Sequence, residues 1–284
     1  MNSNIIKRYI RKGSSRCKNK ITNIDEYLKA VDMGYQRLWA GSPPEFSKKL
    51  WYRGLKDQNF VMLPSIARKS HNAELERFYL SQFKSKAVPY LGHLPSYPFS
   101  DGLMDYWDWL FLMQHYGVPT RLMDWTEDAL VALTFAVDMN LTVEEVKEDP
   151  AVWLLNPIKL NEAFKFDKNY PKGYIPNVEE ATVSKQFGEK SDSKNKRPAA
   201  VYGPQNNPRI ISQKGVFTIF PNVKYMEALD LLPGSEDFLY KIVICKERRG
   251  EINEQLRRLG ITKAQLFPEI TSIADEIRQE QFWK

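Results

Sequence analysis

Cysteine and histidine are scarce in this chain of 284 residues, which has only two of the first and three of the second. Cys17 and Cys245 stand far apart and in no metal-ligand spacing. That argues against a disulfide framework and against a zinc site built on thiolates, and it fits a reducing compartment. With His71, His93 and His115 the only imidazoles, a histidine-rich metal centre is not expected, and no metal ligands are assigned. Several phosphate-binding and hydrolytic signatures are absent too. There is no G-x-G-x-x-G after a strand, no G-x-x-x-x-G-K-[ST], no H-E-x-x-H and no G-x-S-x-G. Rossmann enzymes, P-loop NTPases, zincins and α/β-hydrolases therefore lose their usual marks. The longest apolar run, around Ala129 to Val137, is far short of a bilayer span, and the first twenty residues lack the apolar stretch of a secretory signal. A cytoplasmic protein with no membrane contact is expected.

Acidic residues are missing from residues 1–20, where Lys7, Arg8, Arg11, Lys12, Arg16, Lys18 and Lys20 stand unopposed. The remaining residues hold nearly equal numbers of acids and bases, so the net charge of +6 belongs to a basic tail and not to the folded body. Such a tail is either a solvated arm or a contact for nucleic acid or an acidic partner.

What the chain does have is enough apolar residues, 43%, and aromatics, 13%, for a substantial core. Asp25 to Gly34 predicts a short helix, Ser42-Pro-Pro-Glu a helix start, and Leu50 to Leu55 a strand. Leu63 to Arg68 breaks the pattern. Asn72 to Ala87 returns to helical spacing with Leu75, Phe78, Tyr79 and Phe83 on one face, and residues 88–100 read as a loop. A helix capped by Ser100 or Asp101 carries Leu103, Met104, Trp107, Leu110 and Phe111 inward and ends at Gly117 and Pro119. Thr120 to Trp125 is extended, and Thr126 caps a short buried helix whose first turn holds Glu127 and Asp128. Ala151 to Leu155 and Tyr240 to Cys245 are strands, Pro208 to Phe220 reads as two strands around Gly215, and Glu251 to Leu259 is a helix closed by Gly260. With no repeat and no separate second core, a single α+β domain is expected over residues 21–284. It includes a long irregular excursion at about 160–208, expected to be partly mobile, in which Ser184 to Arg197 is polar and lysine-rich.

Three places could carry chemistry. Arg53, between Tyr52 and Gly54 in a strand, could reach phosphate or carboxylate with its planar fork while the glycine leaves room for a close approach; alternatively it pairs with a core carboxylate such as Asp124. The second place is the polar stretch from Met113 to Thr126, set between apolar segments. There Arg121 and Asp124 could pair with each other or with neighbours in a dry setting. His115 in that stretch is either a functional imidazole or a satisfied half-buried one, and Thr126 either a site hydroxyl or a plain cap. The third is Gln213, whose amide, if in a strand, could bond a sugar hydroxyl or simply face water.

Trp51-Tyr-Arg-Gly54, Leu63-Pro-Ser-Ile-Ala-Arg68, the run from Gln114 through Asp124-Trp-Thr126 into Ala129 to Ala136, and Arg209-Ile-Ile-Ser-Gln-Lys-Gly-Val-Phe-Thr218 together resemble the FRG domain family. Leu259-Gly-Ile and Leu266-Phe-Pro-Glu269 resemble its closing element, which extends the likeness from about residue 30 to about 275. Two departures are Tyr52, where the family's name implies phenylalanine, and Met123, where leucine is more usual. The family was named for a motif and not for an activity. Its layout is similar to a divergent ADP-ribosyltransferase fold, which implies a central split sheet, mixed or antiparallel, flanked by helices.

The same resemblance implies NAD as substrate. It assigns Arg53, Thr126 and Gln213 as catalytic residues, and Tyr52, Arg53, Gly54, His115, Tyr116 and Trp125 as the NAD-binding set. The implied activity is transfer of ADP-ribose to nucleic acid or protein, as a toxin or phage-defence effector. Breaking the nicotinamide–ribose bond builds positive charge on the sugar, and an amide such as Gln213 lacks the negative charge and basicity of a carboxylate. Two alternatives stay open: a non-catalytic nucleotide or nucleic-acid binding module, and an NAD glycohydrolase.

Overall fold

The computed structural model describes residues 17–42, 49–69, 75–93, 104–137, 147–164, 170–189, 191, 197–223 and 225–279. The expected helix start at Ser42-Pro-Pro-Glu lies largely outside these residues, as do most of the basic tail and of the lysine-rich stretch before Arg197. Six strands form one sheet: β1 Trp51–Leu55, β2 Leu122–Thr126, β3 Ala151–Leu155, β4 Ala199–Val201, β5 Gly215–Ile219 and β6 Leu239–Val243. Their order is β4-β5-β2-β1-β3-β6, and every neighbouring pair is antiparallel. The helices are α1 Ile24–Leu38, α2 Ser65–Lys69, α3 Leu75–Ala87, α4 Tyr106–His115, α5 Ala129–Val137 and α6 Pro157–Ala163, followed by α7 Ala181–Phe187, α8 Pro208–Ser212, α9 Ser235–Phe238, α10 Arg249–Arg258, α11 Lys263–Leu266 and α12 Ile270–Gln279. The fold is α+β, and no helix of the described residues is long and apolar enough to cross a membrane.

Alternation along the strands covers both faces of the sheet, because period-two side chains of a central strand must be buried above and below. Met123 and Trp125 of β2 join Val216 of β5 in the larger core under α1 and α5, whereas Leu122, Phe217 and Ile219 point to a second cluster with Trp107, Leu110 and Phe111 of α4. Helix α4 has Asp105 as its N-cap, and the expected caps Ser100 and Asp101 lie outside the described residues. Asp105 and Asp108 form its capping box, each accepting from the other's main-chain N–H. On α3 the buried face is Glu76 and Leu80, and Phe78 is exposed, because the helix packs against α4 through a face that also carries an ion pair.

The expected structureless excursion at 160–208 contains α6, α7 and the edge strand β4; three residues are too short a strand for their periodicity to register in the sequence. Residues Val88 to His93 form a 3₁₀ helix instead of a loop. The two cysteines are also corrected. Cys17 and Cys245 form a disulfide, with Cα atoms 5.3 Å apart, and there is no free cysteine. A parallel bridge between Ile21 and Ile244 brings the start of the described chain beside the end of β6.

One joint in the sheet is narrow. The β2–β5, β1–β3 and β3–β6 ladders each hold five register pairs, but β1 and β2 share only Tyr52 with Thr126. The strand groups β4-β5-β2 and β1-β3-β6 are thus joined in the one sheet through a single register pair. Helix α5 lies directly on β1 at this joint. A Cβ on Gly54 would stand 2.0 Å from the Ala132 carbonyl oxygen and 2.6 Å from the Ala136 nitrogen. The close approach read from Gly54 is therefore made by the α5 backbone and not by a ligand.

Candidate functional site

A cavity of about 260 Å³ opens at the joint of β1 and β2. Its walls include Tyr52, Arg53 and Gly54 from β1, Asp124, Trp125 and Thr126 from β2, and Gln114 and His115 from α4. Phe135 of α5 and Arg209, Gln213 and Gly215 around α8 complete them. Two segments 160 positions apart in the sequence, those of Arg53 and Gln213, thus meet at one opening because β5 pairs with β2 beside the joint.

Arg53 is half-buried, and its guanidinium donates to the main-chain carbonyl of Asp124, bridging the two strands where ladder pairing has stopped. Burial, with a smaller contribution from Arg68, pulls its pKa down to about 10 against the opposing charge of Asp124, so the group remains a cation at neutral pH. The expected alternative, an ion pair with the Asp124 carboxylate, is not formed. Tyr52 beside it is pushed up to about 12 by burial, Asp128 and Tyr35, and stays neutral.

Gln213 does not lie in a strand. It is the C-cap residue of α8, two positions before β5, because Asn207 and Pro208 start a helical turn that the apolar alternation of Ile210 and Ile211 disguised as a strand. Its Nε2 donates to the Leu266 carbonyl at 2.9 Å, and its own main-chain carbonyl accepts the Thr126 hydroxyl at 2.7 Å. Thr126 in turn accepts from the Asp128 N–H at 2.9 Å. Asp128, not Thr126, caps α5, through bonds from Leu130 and Val131. The Thr126 hydroxyl is thus fully engaged in fixing Gln213 to the start of α5. Trp125 is buried and committed as well, its indole N–H donating to Thr218 Oγ1 at 3.1 Å.

His115 is half-buried on the cavity wall, with Nδ1 3.5 Å from the Asn207 amide nitrogen. Burial and then Arg209 lower its pKa, and Glu269 only partly offsets them, so the ring is neutral in the neutral range. Tyr116 packs edge-on against it at 4.8 Å but is 55% exposed and does not line the cavity. The end of α4 places it outside the group of assigned residues that the cavity brings together.

Of the two pairings open to Arg121 and Asp124, with each other or with neighbours, only the second is formed. Arg121 is 1% exposed. Its Nε meets Glu76 at 2.7 Å, its main-chain N–H donates to the same carboxylate at 2.9 Å, and its Nη2 donates to the Tyr106 hydroxyl and the Phe187 carbonyl. Burial alone would lower this guanidinium, but Glu76 and Tyr106 hold it above its ordinary value. The Asp124 side chain is exposed on the cavity wall and accepts from Gln114 Nε2 at 2.7 Å.

Arg209, Gln114 and Asp124 are among the cavity residues outside the site set assigned from the sequence. Arg209 has its guanidinium 4.4 Å from the centre of the Phe267 ring, and burial lowers its pKa against Glu269 and Asp124. Gln114 stands in the polar stretch that singled out His115, but nothing in helical spacing distinguishes it from a surface amide. Phe267 also meets Phe135 edge-on at 5.8 Å, so the Leu266 to Glu269 segment forms one rim of the opening.

Residues 48–145 match the family model described as FRG domain. The chain carries an FRG domain. The matched span supplies β1, β2, α4 and α5, and with them Arg53, His115, Asp124 and Thr126; Arg209, Gln213 and the Leu266 to Glu269 rim lie beyond it. No curated protein and no solved structure matches this FRG chain.

Proposed function

We propose that this FRG-domain protein is an NAD-dependent ADP-ribosyltransferase that transfers ADP-ribose to nucleic acid or protein, as a toxin or phage-defence effector. The observation that carries the reading is the convergence of Arg53 and Gln213 on one cavity at the narrow joint of an antiparallel sheet. Two cationic guanidiniums, Arg53 and Arg209, suit a pyrophosphate, since planar forks bind phosphate oxygens bidentately. The cavity lies just below the roughly 300–1,000 Å³ usual for ligand sites. It would enclose the nicotinamide riboside end of NAD while the remainder lies across the open mouth. Neutral His115 and the apolar face of Phe135 suit an uncharged leaving group.

A second reading, a nucleotide-binding module without turnover, draws on the engaged state of Gln213: its amide N–H is already given to Leu266. Turnover decides between them. Purified protein with labelled NAD is expected to release nicotinamide and to label RNA, DNA or protein. Arg53→Lys, with folding verified, should weaken NAD binding roughly ten- to hundredfold, the worth of one charge-assisted contact. Binding of NAD without release supports the module, release without a labelled acceptor supports an NAD glycohydrolase, and no binding at all removes the nucleotide reading.

A further inference from the structure

Gln213 cannot supply negative charge, yet charge builds on the ribosyl carbon as the nicotinamide bond breaks. The cavity does contain a carboxylate. Asp124 is the middle residue of β2, exposed on the wall between Arg53 and Arg209, and its charge is felt by both guanidiniums without an ion pair to either. Its orientation is fixed by a relay. The Thr120 hydroxyl oxygen accepts from the Leu122 N–H at 3.2 Å, so its own proton goes to Gln114 Oε1, 2.5 Å away. This decides which way the Gln114 amide faces and leaves its NH₂ to donate to Asp124 Oδ2 at 2.7 Å. Thr120 is itself buried and held by Ser65, whose hydroxyl accepts the Thr120 N–H at 3.1 Å. Among the described residues Oδ1 of Asp124 has no hydrogen-bond partner. A carboxylate with one oxygen anchored through a buried relay and the other open to the cavity is a charge held in a fixed orientation.

We infer that Asp124 is the catalytic carboxylate of this cavity, an inference that rests on the NAD reading above. In the reaction the bond from C1′ to the nicotinamide nitrogen breaks and its electron pair passes to the pyridine ring, leaving neutral nicotinamide. Asp124 faces the developing positive charge on C1′. The acceptor oxygen or nitrogen then bonds to C1′, and its proton passes to the Asp124 carboxylate and on to water. Gln114 and Thr120 are positioning residues for this step. Gln213, one amide N–H of which is tethered to Leu266, presents its carbonyl oxygen as an acceptor for a ribose hydroxyl.

The test is Asp124→Asn, which keeps the shape and the bond from Gln114 but removes the charge. Nicotinamide release, label transfer and the NAD dissociation constant are measured beside the parent, Arg53→Lys and Asp124→Glu, with folding checked by circular dichroism. Asp124→Asn is expected to lower release and transfer about 100-fold or more with NAD affinity unchanged, and Asp124→Glu to recover part of the loss. Parent-level release by Asp124→Asn, with Arg53→Lys impaired, overturns the Asp124 assignment and leaves the NAD reading intact. A loss of NAD affinity in step with turnover likewise overturns it, since the carboxylate would then serve binding alone. No release by the parent overturns both.

Discussion

The surroundings of the cavity histidine set its charge state. His115 is held below its ordinary pKa by burial and by Arg209, with Glu269 opposing. A native pKa below the unfolded one means that the unfolded chain takes up the proton first as pH falls. The stability His115 contributes is therefore complete above about pH 6.5 and is lost as the pH drops through its lower native value. An NMR titration should find His115 below the ordinary imidazole value of about 6.5, and His115→Gln should reduce the acid-induced loss of stability below about pH 6.5. Arg53 was legible in the sequence because a charged residue inside a strand next to glycine is unusual. The character of Gln213 was not, because apolar Ile210 and Ile211 before Gly215 fit a strand as well as a helical turn. Local spacing alone does not separate the two over five residues.

Among the elements, the packing of α5 on β1 governs the geometry of the opening. Both run through small residues at the crossing, Gly54 on the strand and Ala132 and Ala136 on the helix, and the atoms a Cβ would strike are backbone atoms that cannot rotate away. Gly54→Ala is expected to destabilise the fold by roughly 3 kcal/mol, at or above the upper end for overpacking. It should also widen the gap between β1 and β2, so denaturant melts would shift and NAD binding would weaken together. The sequence flagged Gly54 as a point of close approach, but the approaching partner is a helix whose position depends on the whole sheet order. Elements with strong capping or long apolar faces, such as α1 and α5, were readable, whereas α7, α8 and β4 are too short for periodicity to announce them.

The largest scale is held by the buried Arg121 knot. It joins β2 to α3 through Glu76, to α4 through Tyr106, to the end of α7 through the Phe187 carbonyl, and to the end of β5 through the Phe220 carbonyl at 3.4 Å. Glu76→Ala removes the only carboxylate in contact with this guanidinium among the described residues and leaves a buried cation, which should cost about 3–5 kcal/mol. Chemical denaturation of the variant measures that loss directly. Replacing the pair with well-packed apolar residues should cost far less, since the ion pair itself is offset by its desolvation. Arg121 stands just before β2 and Asp124 in its middle, so one short segment carries both the structural guanidinium and the cavity carboxylate.

Hydrophobic patterning, capping residues and glycine positions are local properties of the chain. They were sufficient to define the α+β class, the strands around Arg53 and Asp124, helix α5 and the candidate guanidinium. Pairings between distant segments are not local. Only the folded sheet, by setting β5 beside β2 and joining β1 to β2 through one register pair, determined that Arg53, Asp124, Arg209 and Gln213 share an opening, that Arg121 belongs to Glu76, and that Cys17 meets Cys245. The reason is that side-chain partners across a sheet depend on strand order and register, which are fixed by the burial of both faces at once and not by any single stretch of sequence.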